Sequence, residues 1–252
     1  MALQFPKAYY DSKAEGRPTI QGLAVSQEPA FDLAESPEQV AQLDFANWLP
    51  FAAKTYHISP RIEDYILKPM PICPSDICNR NGVAFPLQEL IKYQPPPMNR
   101  QVYKAWTGCP VHLEHDNEDH TKAYGVIFDT VLTPIKGYGD GKHWNVMGLI
   151  GIDKVKHPDI AQEVLDGRIN TGSMGALADY FTCSVCGAQA HENSYKNCPH
   201  ISSTKDVNWR VVEHNGEMRL AFLNAHELSP IEYSIVRDPA WAMSLSTTQF
   251  SW

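Results

Sequence analysis

Cysteine and histidine residues in the second half of the chain have the spacing of a metal site. Cys183 and Cys186 form a Cys-x2-Cys pair that is followed by Gly187, and eleven residues separate this pair from Cys198 and the nearby His200. A Cys-x2-Cys turn places two thiolates on one side of a tight knuckle, and a second Cys/His pair completes a tetrahedron around Zn²⁺. Four protein ligands leave no open coordination position, so the spacing predicts a structural zinc ion.

Other potential ligands are placed less regularly. His191 lies inside the loop of the knuckle and could replace His200 as the fourth ligand. Cys73 and Cys78 have no second Cys/His pair nearby, so we interpret them as free thiols. The alternative for the knuckle itself is a set of free thiols with a neighbouring histidine.

A serine in a glycine-rich stretch is a candidate nucleophile. Ser173 follows Gly172 directly and is followed by Met174 and Gly175. A nucleophilic serine needs a base within hydrogen-bond reach, a group that orients the base, and donors for the oxyanion. Flanking glycines allow a substrate carbonyl to approach the backbone. The stretch departs from the GxSxG elbow, and a serine among glycines is also typical of an ordinary turn.

A candidate base lies in the segment "VHLEHDNEDH", where three histidines stand among acidic residues. Histidine is the natural proton shuttle near neutral pH. The alternation of residue types predicts that His115 shares a strand face with Val111 and Leu113, at the end of the strand, where a base could be held rigidly. The alternative is a solvated acidic loop with incidental histidines.

The same segment allows a competing metal chemistry. His112, His115 and His120, together with Asp116 and Asp119, are suitable ligands for a hydrolytic zinc ion with an open position. The segment does not contain the HExxH pattern, because no glutamate follows His112 directly.

Composition and charge limit the classes of function. The formal net charge is −8 and the sequence shows no basic stripe, so we expect no direct nucleic-acid role. No apolar run is long enough to span a bilayer, and the first residues lack the pattern of a signal peptide. We therefore expect a cytosolic protein without a membrane role, whose six cysteines are thiols or ligands.

The pattern of the elements predicts an α+β fold. Apolar alternation and turn signals predict a mostly antiparallel sheet or barrel covered by helices. Predicted helices occupy 36–49, 59–69, 85–93 and about ten residues from 157 to the terminator Gly167, and predicted strands occupy 108–116, 123–132, 143–153 and 227–241. Asn215 and Gly216 predict a tight hairpin between two further strands.

The order of these motifs resembles the prohead (head maturation) proteases of tailed bacteriophages. The similarity spans roughly residues 81–241 and runs through a histidine segment, a glycine-led strand, a serine segment after a helix, and a terminal strand. The matching residues are Leu113, His115, Asp116, Gly125 to Asp129, Ser173, Met174, Gly175, Glu232, Ser234, Val236, Pro239 and Ala240. A CxxC…CxH insert after the serine strand is similar to inserts in members from large phages.

The resemblance implies a serine endopeptidase with the herpesvirus assemblin-like fold, a small, mostly antiparallel β-barrel surrounded by helices. His115 would be the general base and Ser173 the nucleophile. Glu232 would orient His115, with Asp129 and His143 as alternatives.

It further implies a domain plan and a set of partners. An irregular, helical segment 1–60 would precede a protease domain 61–252 that carries a zinc-knuckle insertion at 181–203. The expected substrates are phage scaffold and capsid proteins and the protease itself, inside the prohead in the host cytoplasm, and homo-oligomers are possible. Leu33, Ala34 and Glu35 fit the family's cleavage context, so we expect a propeptide that is removed after Glu35. The alternatives are a zinc-dependent hydrolase using His112, His115 and His120, and a non-enzymatic phage structural protein with a zinc ribbon.

Overall fold

A computed structural model describes residues 45–96, 98–135, 142–190, 198–201, 210–237 and 239–241. Within these ranges the chain is α+β, with mostly antiparallel strands and few helices. The predicted helix start at Ser36, the cleavage point after Glu35 and the alternative ligand His191 lie outside the described residues. No helix in the described ranges has the length and apolar character needed to cross a bilayer.

The described elements alternate short helices with strands. The helices are α1 (Phe45–Tyr56), α2 (Leu87–Leu90) and α3 (Pro158–Leu165), with 3₁₀ helices at Ile62–Asp64, Val102–Trp106 and His120–Lys122. The strands are β1 (Tyr65–Pro74), β2 (Val83–Ala84), β3 (Tyr93–Gln94), β4 (Arg100–Gln101), β5 (Pro110–Leu113), β6 (Gly125–Pro134), β7 (Trp144–Asp153), β8 (Gly172–Leu177), β9 (Tyr180–Cys183), β10 (Gln189–Ala190), β11 (Arg210–His214), β12 (Glu217–Ala221), β13 (Leu223–His226) and β14 (Ser229–Ile235).

The largest sheet has six strands in the order β1-β7-β6-β5-β14-β8. All neighbouring pairs are antiparallel except β14 and β5, which run parallel. The sheet curls until its two edge strands, β1 and β8, approach each other, which gives a half-barrel. Pro69 and Pro71 lie in β1, and proline is tolerated there because an edge strand does not need every backbone N–H in a ladder. The predicted barrel surrounded by helices is therefore a half-barrel with few helices.

The main apolar core includes side chains from both the large sheet and the elements packed on it. Trp106, Ile127, Ile150 and Tyr233 are fully buried in it. Burial of this much aromatic and aliphatic surface is the main force that holds a curled sheet of this kind together. The strands predicted at 123–132 and 143–153 are confirmed as β6 and β7.

A second core lies under α1. Trp48 packs on Phe128 of β6, with ring centroids 5.7 Å apart, and Leu149 of β7 joins the same cluster. The helix predicted at 36–49 extends further than expected, because α1 continues through Pro50 to Tyr56. The buried residues of α1 follow a helical period, so packing on the sheet keeps the helix intact beyond the proline.

The helix predicted at 59–69 is wrong. Only Ile62–Asp64 form a 3₁₀ turn, and Tyr65–Pro74 form strand β1, which pairs with β7. The helix start signal at Ser59 instead forms a local turn, because the Ser59 hydroxyl donates to the Asp64 carboxylate. Pairing with a distant strand decided this segment, and that partner lies outside any local window.

Three other local predictions are confirmed. The predicted helix 85–93 contains α2, and the helix predicted from 157 contains α3, which ends before the predicted terminator Gly167 at φ +72°. Asn215 and Gly216 both have positive φ, 54° and 79°, as a type I′ hairpin between β11 and β12 requires.

A smaller sheet carries Cys183, the first of the predicted zinc ligands. Its four strands have the order β10-β9-β13-β2, and Cys183 is the last residue of β9. Because β13 connects through a short turn to β14, this sheet is tied closely to the strand that carries Glu232.

Candidate active site and metal centre

A histidine and a buried glutamate are in hydrogen-bond contact at one end of the large sheet. Nδ1 of His115 lies 3.0 Å from Oε1 of Glu232. The Glu232 side chain is fully buried, whereas 24% of the His115 side chain is exposed. With the Nδ1–H tautomer donating to the carboxylate, Nε2 is left as an acceptor. This is the arrangement in which a carboxylate orients a histidine base.

Ser234 connects the same two residues a second time. Its hydroxyl donates to Oε2 of Glu232 at 2.6 Å and accepts the backbone N–H of His115 at 3.1 Å. Ser234 is itself fully buried. Glu232 and Ser234 are two residues apart on β14, so their side chains lie on one face of the strand.

Ser173 lies on the neighbouring strand. It is half-buried on β8, and its Cα is paired with that of Ser234 on β14. Directly opposed residues of an antiparallel pair project from the same face, with Cα atoms about 5 Å apart. Ser173 therefore lies on the face of the sheet that carries Ser234 and Glu232.

His115 lies in a turn and not on the face of β5. The strand ends at Leu113, and Glu114 and His115 have φ of 50° and 61°. The predicted strand face shared with Val111 is therefore wrong for His115. The left-handed turn directs the chain back toward β14, where the Glu114 N–H donates to the Ile235 carbonyl at 2.9 Å.

Gly172 has a steric role in packing. A Cβ at this position would lie 1.8 Å from Oη and 2.1 Å from Cζ of Tyr233. The ring of Tyr233 is fully buried, and its hydroxyl donates to the Pro71 carbonyl of β1 at 3.2 Å. The glycine before Ser173 is thus required for the contact that holds β8, β14 and β1 together.

The other two residues considered as orienting groups have different partners. Asp129 pairs with the Lys104 ammonium at 3.2 Å, and burial is the main cause that raises the pKa of its carboxyl. Nδ1 of His143 lies 3.2 Å from the Ser75 carbonyl. Of these three residues, Glu232 is the one in hydrogen-bond contact with the His115 ring.

The histidines of the competing metal site are dispersed. His112 is buried on β5, where its Cα is paired with that of Ser234. His120 lies in a 3₁₀ helix with its ring edge against Tyr56. In the part of the chain that the structure describes, a single group of three or more potential metal ligands lies close together, and it contains none of these histidines.

That group consists of the four predicted zinc ligands. One ligand atom from each of Cys183, Cys186, Cys198 and His200 lies within 4.8 Å of the others. The Cys186 and Cys198 sulfurs are 3.5 Å apart, and the Cys198 sulfur is also 3.5 Å from Nδ1 of His200. Separations of about 3.5 Å are those expected between the vertices of a tetrahedron around Zn²⁺. The cluster can hold a metal ion and is compatible with zinc.

The backbone around the knuckle is arranged for sulfur ligands. The Val185 N–H donates to the Cys183 sulfur at 3.4 Å, and Gly187 turns the chain at φ +70°. Burial raises the pKa of Cys183 to about 11, although hydrogen bonds from neighbouring backbone N–H groups act to lower it. At Cys198 burial also acts to raise the pKa, but hydrogen bonds, chiefly from the His200 backbone, outweigh it and the pKa is lowered.

A series of hydrogen-bonded side chains holds the strand that carries Cys183, and the sequence did not suggest it. Nδ1 of His226 lies 3.0 Å from Oε1 of Glu89 on α2, and Nε2 lies 2.8 Å from Oγ1 of Thr182 on β9. Tyr180 stacks on the His226 ring at 4.8 Å between centroids. Because Glu89 and His226 are 137 residues apart, spacing could not reveal the contact. This chain joins α2 to the smaller sheet.

Cys73 and Cys78, like Cys109, lie outside this ligand cluster. Cys73 is buried, and burial raises the pKa of its thiol well above the ordinary value. Burial likewise raises the pKa of Cys78 to about 11. Both are free thiols, as expected.

No protein-family model matches the chain, and comparisons with curated proteins and with solved structures give no significant match.

Proposed function

We propose that this chain is a serine endopeptidase of the type that processes the heads of tailed bacteriophages. Ser173 is the nucleophile, His115 the general base and Glu232 the group that orients the base. The observation that carries the proposal is the contact of 3.0 Å between Nδ1 of His115 and Oε1 of Glu232, next to the strand pair that contains Ser173.

The proton path follows from the tautomer of the histidine. Glu232 accepts the Nδ1–H bond, so Nε2 of His115 takes the proton of the Ser173 hydroxyl as Oγ attacks the peptide carbonyl. The resulting imidazolium is stabilised by a carboxylate that is removed from water, and it then protonates the leaving amine. Water hydrolyses the acyl-enzyme by the same path in reverse.

The half-barrel and the expected substrates belong to the same proposal. A curled, mostly antiparallel sheet is compatible with the assemblin-like fold. The proposed substrates are phage scaffold and capsid proteins and the chain itself.

The cysteine cluster is proposed to hold a structural zinc ion within the insertion 181–203. The three sulfurs and one imidazole nitrogen fit a tetrahedral site without an open position. When bound, zinc would link the end of β9 to the segment around His200, which is too short to bury a core of its own.

Replacing the proposed nucleophile tests this function. Purified wild-type chain and Ser173→Ala are incubated with the scaffold and capsid proteins of the same phage, and the products are identified by mass spectrometry. We expect cleavage by the wild-type chain and none by Ser173→Ala, with unchanged zinc content and unchanged circular dichroism.

Thr182→Val is the matched control, since the Thr182 hydroxyl contacts His226, a histidine that is itself in contact with the Glu89 carboxylate. Persistent cleavage by Ser173→Ala would show that the serine mechanism is wrong. Loss of cleavage in Thr182→Val but not in Ser173→Ala would show that the Thr182 hydroxyl is the nucleophile. Absence of cleavage by the wild-type chain would favour a non-enzymatic role.

A further inference from the structure

Ser234 is fully buried and touches both partners of the His115–Glu232 pair, although a nucleophile–base–acid mechanism gives it no task. We infer that Ser234 is a positioning residue that fixes the Glu232 carboxylate and the His115 backbone at the same time. The expected effect of Ser234 on catalysis rests on the proposed function, whereas its effect on the position of Glu232 and His115 does not.

The first part of the argument concerns the carboxylate. Glu232 uses Oε1 for His115 and Oε2 for Ser234, so the two bonds together fix the rotation of the carboxylate plane. A buried carboxylate oxygen that loses a hydrogen-bond donor is not compensated by water. The Ser234 hydroxyl therefore helps to hold the carboxylate in the orientation that favours one tautomer of His115, and its loss should weaken that preference.

The second part concerns the backbone. Glu114 and His115 both adopt left-handed φ values, which are unfavourable for residues other than glycine and persist only where surrounding bonds hold them. Strand β14 supplies the acceptors for those bonds. The Glu114 N–H donates to the Ile235 carbonyl, and the His115 N–H donates to the Ser234 hydroxyl. The hydroxyl therefore stabilises the turn that presents the imidazole.

The third part concerns the residue type. One atom, Oγ of Ser234, has to donate to Glu232 and accept from His115, and alanine can do neither. Cysteine is of similar size but is a weak donor and a weak acceptor, so it should restore only part of the effect. Ser229, exposed at the start of the same strand, offers a matched control.

The test reads the histidine directly and does not need activity. In a Ser173→Ala background with ¹⁵N-labelled histidine, the Nδ1 and Nε2 shifts of His115 are followed through a pH titration, and His115→Gln identifies the signals. We expect one dominant Nδ1–H tautomer in the parent and in Ser229→Ala. We expect mixed tautomers in Ser234→Ala, and an intermediate spectrum in Ser234→Cys.

Activity provides a second, separable readout. In the chain with Ser173 intact, Ser234→Ala should lower kcat by about tenfold to a hundredfold with KM within about twofold, because one buried hydrogen bond to a charged group is lost. An unchanged His115 spectrum in Ser234→Ala would overturn the inference. If that variant does not fold, an unchanged spectrum in Ser234→Cys would overturn it. A changed spectrum in a chain whose wild type cleaves nothing would refute the proposed function and leave the positioning role intact.

Discussion

Ser173 and Ser234 lie directly opposite each other on the antiparallel strands β8 and β14. Ser234 also contacts the Glu232 carboxylate and the His115 backbone through its hydroxyl. One strand pair thus brings a candidate nucleophile, an orienting carboxylate and the turn of a candidate base to one end of the half-barrel. The predictions below test separate parts of this arrangement.

Glu232→Gln should reduce cleavage more than it reduces stability. The amide is nearly isosteric, but it carries no charge to stabilise an imidazolium, and its NH₂ group can face Nδ1 and favour the wrong tautomer. We expect kcat to fall by a factor of about 10²–10⁴ with little change in KM, measured by the initial rate on a scaffold substrate. Glu217→Gln, on the exposed β11–β12 ribbon, should leave the rate unchanged. Equal rates for Glu232→Gln and wild type would exclude a role for this carboxylate.

Cys186→Ser should abolish metal binding. It removes one of four sulfur and nitrogen ligands, and a tetrahedral site with three ligands binds zinc far more weakly. Wild-type protein should contain one zinc per chain by mass spectrometry under native conditions, and a chelator should lower its Tm. Cys78→Ser should keep the metal, since Cys78 is outside the cluster. Two zinc ions per chain would instead support the competing site at His112, His115 and His120.

Gly172→Ala should destabilise the fold strongly. The added Cβ would lie 1.8 Å from Oη of Tyr233, whose ring is fully buried and cannot move aside. A contact this short with a buried ring should reach the upper end of the usual overpacking cost, about 3 kcal/mol or more. Gly167→Ala meets no atom within 4 Å but requires φ +72°, so it should cost about 1–2 kcal/mol. Urea denaturation of both variants measures the difference, and equal losses would contradict the close contact with Tyr233.

Asp129→Asn should change how stability depends on pH. Burial raises the pKa of Asp129 in the folded chain above the ordinary value of 3.8, and Lys104 offsets this only in part. The folded state therefore holds the proton more tightly than the unfolded state, and this contribution to stability is lost as pH rises above that value.

The free energy of unfolding of wild type minus that of Asp129→Asn should accordingly fall as pH increases above about 4. Glu217→Gln should show the opposite slope, because a hydrogen bond from Arg219 lowers the pKa of Glu217. Chemical denaturation at several pH values measures both differences. A flat or rising difference for Asp129→Asn would show that its carboxyl is not perturbed by burial.

Self-processing should produce a new terminus at Ser36. The sequence Leu33-Ala34-Glu35 fits the cleavage context of the proposed family. Mass spectrometry of the incubated wild-type chain should find cleavage after Glu35, with none in Glu35→Gln and normal cleavage in Glu28→Gln. Cleavage at another position would contradict the proposed propeptide boundary.

The sequence determined those elements whose signals are local. Gly167 ended α3, and Asn215-Gly216 formed the hairpin, because positive φ is a property of one or two residues. The spacing of Cys183, Cys186, Cys198 and His200 was also sufficient to indicate a ligand cluster, because these residues are close along the chain. Apolar alternation located β6 and β7 for the same reason.

Contacts between distant segments were decided only by the tertiary structure. Tyr65–Pro74 became a strand because β7 pairs with it, against a local helix signal. The sequence left Asp129 and His143 as alternatives to Glu232, and only the pairing of β14 with β5 and β8 brought the Glu232 carboxylate to the His115 ring. The contacts of Ser234 and of the Glu89–His226–Thr182 chain had no signal in the sequence, because a hydrogen bond depends on ångström distances that spacing along the chain does not encode.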